Sequence, residues 1–114
     1  EEEEFKGKTL IQHFCELERG TTRLGVAGNL RTPQDVTKAL EEGVDWIMLG
    51  RAAILHHDFP KLYEEDDQFV PSQIPVSVDY LTQEGLSPKF IEYMSNWGFV
   101  DGSVDRMKEA IKKA

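Results

Sequence analysis

Leu24-Gly25-Val26-Ala27-Gly28-Asn29, then Thr32-Pro33-Gln34-Asp35-Val36, then Asp45-Trp46-Ile47-Met48-Leu49-Gly50-Arg51, is the stretch on which the fold turns. Leu24 to Ala27 is a short apolar run bounded by glycine and asparagine, which predicts a buried strand. Thr32 is placed to cap a helix and Pro33 suits its first turn, where an amide would lack a partner anyway. Asp35 sets a negative charge near the positive end of the helix dipole. Val36, Ala39 and Leu40 form the inward stripe of this helix, and Gly43 ends it. Trp46 to Leu49 is apolar at every position, as in a parallel strand covered on both faces. Strand, capped helix and strand make a βαβ unit and set the chain in the α/β class.

Upstream, Thr9 and Gln12 stand at capping-box spacing, and Leu10, Ile11, Phe14 and Leu17 fall on one helical face. A helix over about Thr9 to Arg19 is predicted, with Gly20 ending it in the left-handed conformation. Downstream, Arg51 to Leu55 reads as a short helix. The acidic stretch Glu64 to Asp67 and the proline-bearing segment Pro71 to Pro75 then read as irregular surface chain. Ser87 and Pro88 start a helix whose Phe90, Ile91, Met94 and Trp97 share a face and which Gly98 closes. A last helix carries Val104, Met107 and Ile111 on one side. Three parts are therefore expected: 1–62 with the βαβ unit, an irregular segment over 63–86, and a helical extension over 87–114.

The 114 residues carry 13 Lys and Arg against 21 Asp and Glu, a formal charge of -8. Such a field repels phosphate backbones and argues against extended nucleic-acid or anionic-membrane contacts, while a single anion can still be held by local amides. The one cysteine, Cys15, permits no intrachain disulfide and no cysteine-based metal cage, which suits a cytoplasmic setting. Glu1 to Glu4 lack the basic flank and apolar run of a secretory signal, and no segment accumulates enough apolar residues to span a bilayer.

Two parallel strands cannot complete a sheet. Both outer edges present unpaired amides and carbonyls, and Trp46 to Leu49 expects more cover than the helices here supply. The expectation is a piece of a larger sheet, whose missing strands come from another part of the polypeptide or from a second copy of the chain in a homo-oligomer.

The chemistry-bearing pair is Ala27-Gly28-Asn29 after the first strand and Gly50-Arg51 after the second. In barrel enzymes the loops after the last two strands, with the start of a short extra helix, commonly hold a phosphate. Glycine lets the backbone approach the oxygens, helix-start amides donate to them, and a guanidinium adds a planar, always-charged fork. Singly, Gly28 reads as a turn glycine, Asn29 as a residue tolerant of an unusual turn, and Arg51 as an ion-pair partner for nearby acids. Together they point to a phosphate site.

Arg23 to Leu30, Thr32 to Val36 and Gly43 to Arg51 resemble the closing βαβ unit of the Old Yellow Enzyme family, the NADH:flavin oxidoreductases. Asp58-Phe59-Pro60 resembles the short turn that follows that family's Gly-Arg. Tyr93 to Asp101 resembles its C-terminal helix and the bend after it. The resemblance runs from Thr9 onward and is weakest between Tyr63 and Leu86. It implies the C-terminal βαβ portion of a (βα)8 TIM barrel with C-terminal helices added. It implies FMN as cofactor, its phosphate held by the amides of Gly28, Asn29, Gly50 and Arg51 and by the Arg51 side chain. It also implies NADH or NADPH as electron donor and an activated alkene as acceptor, the ene-reductase reaction. The family's catalytic His-Asn or His-His pair and its proton-donating Tyr lie on earlier strands, so no catalytic residue is expected here.

Other groups read as structure. On a helix, His56 and His57 would point about 100° apart and could not easily share a metal. His13 lies between apolar positions and reads as a surface or boundary histidine. Glu64 to Asp67 lacks the spacing and glycine of a calcium loop. No basic neighbour in sequence activates Cys15, and Trp46 and Trp97 suit packing. No metal site is expected. Two other readings stay open: a fragment of a dihydrouridine synthase-like FMN barrel, disfavoured by the acid-rich region after Arg51, and a non-catalytic phosphate-binding module that self-associates.

Overall fold

A computed structural model describes residues 7–113; Glu1 to Glu4 lie outside them. Among the described residues the order is α1 (Leu10–Cys15), β1 (Gly25–Ala27), α2 (Pro33–Glu41), β2 (Trp46–Met48), α3 (Arg51–Leu55), α4 (Phe59–Glu65), α5 (Val78–Gln83), α6 (Pro88–Ser95) and α7 (Val104–Lys113). The described residues are mixed α/β, with one two-stranded parallel sheet among them in which Gly25, Val26 and Ala27 pair with Trp46, Ile47 and Met48.

Thr9, Thr32 and Ser87 cap helices where the sequence places them, and at α2 Asp35 adds a returning hydrogen bond to its expected role at the dipole. Thr9 accepts from the Gln12 amide while the Gln12 side chain returns to the Thr9 amide, and Thr32 and Asp35 do the same at α2. Ser87 caps α6 by accepting from the Phe90 amide. Each reciprocal cap satisfies two donors that a helix start leaves without partners.

Several expectations need correction. Helix α1 stops at Cys15, short of Arg19, because none of its residues is buried and no packing face sustains another turn. Gly20, at φ 57°, serves a later turn. Leu40 is exposed although Val36 and Ala39 on the same helix are buried; on α6 only Ile91 and Met94 are buried while Phe90 faces out, and Trp97, past the helix end at Ser95, is exposed as well. The segment 63–86 is not wholly irregular. Helix α4 runs through Glu65, with Pro60 tolerated in its first turn, and α5 is capped by Ser77, which accepts from the Tyr80 amide.

The core has two parts. Val36, Ala52 and Phe59 are packed with Ile47, Leu49, Tyr63 and Phe69, so α2, α3 and α4 cover one face of β2. The other part gathers Leu81, Ile91, Met94, Phe99 and Val104 from α5 to α7 around Leu55. A parallel bridge between Val76 and Val100 closes it: the Val76 amide donates to Phe99, and the Asp101 amide donates back to Val76.

Strand alternation leaves the other face of β2 bare. Ile47 and Leu49 turn toward the helices, while Trp46 is 48% and Met48 53% exposed. The Trp46 indole lies where a Cβ on Gly25 would sit, so the glycine opposite makes room for the ring on this uncovered face.

Candidate functional site

Parallel, in-register pairing carries both strands to the same end of the sheet, Ala27 opposite Met48. The segments that follow, Gly28-Asn29 and Gly50-Arg51, therefore leave from one edge. Gly28 has φ 105° and Asn29 φ 56°, a pair of left-handed residues that reverses the chain before α2. Nothing lies within 4 Å of a Cβ built on Gly28 or on Gly50, so both loops border open space.

The Arg31 and Thr32 amides each donate to Asp35 Oδ2 at 3.0 Å, fixing the backbone between Asn29 and α2. Burial pushes the Asp35 carboxyl up, but these two amides and the Thr32 hydroxyl outweigh it, leaving the group below the usual carboxylate range. Gly50 caps α3 without a side chain, and its carbonyl accepts from the Ala53 and Ile54 amides.

Arg51 begins α3 and is exposed. Although the chain is acidic, Arg51 has no carboxylate partner among the described residues, and neither does the Arg31 side chain. Both arginines line one cleft of about 450 Å³ together with Gln34, Gln68, Phe69 and Ile74. Gly28, Asn29 and Gly50 do not line that cleft, although they stand at the same sheet end. The cleft thus combines two guanidiniums with an apolar wall, a setting for an anion attached to an apolar body. Arg31 and the Gln68-Phe69 segment were not signalled by the sequence, since no motif includes them.

The opposite end of the sheet is occupied by a structural clamp. Asp45 Oδ2 accepts from the Leu24 amide at 2.7 Å and from Arg19 Nη1 at 3.3 Å, and the Asp45 amide donates to the Leu24 carbonyl at 2.8 Å. The Leu24 amide holds the Asp45 carboxyl below the usual range, and Arg19 adds to the effect.

The two adjacent histidines diverge. The His56 Nε2 accepts from the Ser72 amide at 3.0 Å, and its ring meets Phe69 and Tyr80 edge to face. His57 turns the other way, its Nδ1 2.6 Å from Glu84 Oε2 and 4.0 Å from Asp58 Oδ1. The Glu84 carboxylate raises the His57 pKa. Among the described residues His57, Asp58 and Glu84 are the group whose donors could converge on a metal ion. The sequence did not disclose it because Glu84 arrives from the end of α5, within the segment read as irregular.

Cys15 is half-buried, its Sγ 3.5 Å from a Cβ built on Gly43. Glu64 to Asp67 are all exposed, and Asp66 Oδ1 accepts from the Gln68 amide in a local turn. Trp97 stacks edge-on with Tyr93, which lies beside Phe90 on the exposed side of α6. No helix of the described residues is long and apolar enough to cross a membrane. In comparisons with protein-family models, curated proteins and solved structures, the chain finds no match.

Proposed function

We propose that the chain is the closing βαβ portion of an FMN-dependent (βα)8 barrel oxidoreductase of the Old Yellow Enzyme kind, supplying the loops that hold the flavin phosphate. The observation that carries this reading is the parallel β1–β2 pair, which sends Gly28-Asn29 and Gly50-Arg51 out of one sheet end, with the Arg51 guanidinium free of a carboxylate partner among the described residues. The bare face of Gly25, Ala27, Trp46 and Met48 supports it further. In a barrel that face turns inward while the helix-covered face turns outward. In this reading the protein's part is to bind and orient FMN, hydride comes from NADH or NADPH, and the catalytic side chains belong to other strands.

Titration with inorganic phosphate and with FMN tests the proposal, read by phosphorus line shape and flavin fluorescence. Weak binding of both is expected, since the ring pocket needs further strands. Arg51→Ala should weaken it about tenfold, as loss of a charge-assisted hydrogen bond does. Phosphate binding that is indifferent to Arg51→Ala would sink the flavin reading.

The uncovered strand face also favours a second reading, a phosphate-binding module that completes its sheet by pairing with another copy of itself. Because both readings leave the strand face uncovered, flavin decides between them: binding of FMN in preference to inorganic phosphate supports the first reading, and a self-associated chain that binds phosphate with no preference for FMN the second.

A further inference from the structure

We propose that His57, Asp58 and Glu84 form a binding site for a borderline divalent transition-metal ion, of which Zn2+ is the type. This site is independent of the flavin reading, being built by the α3–α4 turn and the end of α5. The three donor atoms, one imidazole nitrogen and two carboxylate oxygens, lie within 4.8 Å of one another. Donors about 2.0–2.2 Å from a tetrahedral zinc stand about 3.3–3.6 Å apart. The present separations from His57 Nδ1, 2.6 Å to Glu84 and 4.0 Å to Asp58, straddle that spacing, so an ion needs only small side-chain rotations.

Two features set the group apart from a chance surface ion pair. Asp58 occupies the N-cap position of α4 yet makes no capping hydrogen bond. Its carboxylate is left for the imidazole side of the turn. Glu84, at 18% exposure, is well shielded, and the His57 main-chain amide donates to its Oε2 at 3.1 Å. A carboxylate ligand oriented by an outer hydrogen bond is what metal sites commonly use. Two carboxylates and one neutral imidazole carry a charge of about -2, matched to a dication, and the nitrogen donor selects zinc, cobalt or nickel over magnesium and calcium. The remaining positions are open to water, because His57 is largely exposed.

Calorimetric titration of the chain with ZnCl2, and with CoCl2 followed by visible absorption, tests the site. The expected result is one saturable site whose affinity falls at least tenfold in each of His57→Gln, Asp58→Asn and Glu84→Gln and is unchanged in His13→Gln. Because Glu84 also holds the His57 amide, Glu84→Gln alone could act by loosening the turn. Asp58→Asn removes no hydrogen bond and keeps the test decisive. Absence of saturable binding at millimolar Zn2+, binding that survives His57→Gln and Asp58→Asn, or equal competition by Mg2+ would each overturn the proposal.

Discussion

Gly28 holds a φ of 105° with no neighbour near the place of a Cβ, so its requirement for glycine is conformational and not a matter of crowding. Gly28→Ala is expected to cost about 1–2 kcal/mol of stability, the penalty of forcing a Cβ into left-handed backbone, measured by urea unfolding. A neutral result would show that the loop relaxes. Gly25 is the contrary case. A Cβ there collides with the Nε1 edge of the half-exposed Trp46 indole, a side chain on the open face that can swing away, so Gly25→Ala displaces the indole more than it unfolds the sheet. Asp45 supplies a pH dependence with a definite sign. Its folded pKa is depressed, so its contribution is complete above the unfolded value near about 3.9 and is lost as pH falls through the folded one. Asp45→Asn keeps an acceptor for the Leu24 amide but not the charge. The stability gap between the two proteins should be constant from neutral pH to about 5 and close below roughly pH 4. A gap that widens on acidification would contradict the clamp.

The elements that the sequence made legible are those written in local chemistry. Thr9 with Gln12, Thr32 with Asp35, and Ser87 before Pro88 announce helices through hydrogen bonds that reach only three residues, and these caps form where expected. The strands were legible because glycine, asparagine and aspartate bracket short apolar runs, and the observed β1 and β2 lie inside them. What failed to show was set by distant packing. Helix α5 is only six residues long, too short for a periodic pattern, and its Leu81 is buried by Ile91, Phe99 and their neighbours, which come later in the chain. The same limit hid half of the candidate cleft, since Arg31 and Phe69 meet Arg51 only when the 68–74 segment folds back toward α3. It also hid Glu84, 27 residues from His57. Helix α2 is where a local rule can be measured. Thr32→Ala removes the acceptor for the Asp35 amide and should cost about 1 kcal/mol. Because the cap also orders the chain carrying Arg31, phosphate affinity should fall with it; a loss of affinity without loss of stability would locate Thr32 in the anion site itself.

At the scale of the molecule the dimensions carry the argument. The radius of gyration is 18.2 Å, with extents of 57 × 36 × 25 Å, whereas a compact domain of this length has a radius of about 13 Å. The excess goes with a core divided in two and with apolar side chains, Trp46 and Met48 on the sheet and Leu10, Phe14 and Leu17 around α1, that find no cover. A two-stranded sheet keeps two open edges, and exposed edges beside an apolar face are what a neighbouring strand pairs with. The isolated chain is therefore expected to associate with itself as its concentration rises, seen as a rising mass in light scattering. Trp46→Arg places a charge on the bare face without touching the helix-covered one, so it should shift that association toward monomer while leaving helix content unchanged. A compact monomer for both proteins, with a scattering radius near about 13 Å, would mean that the chain buries this face by itself, and the case for missing strands would fall.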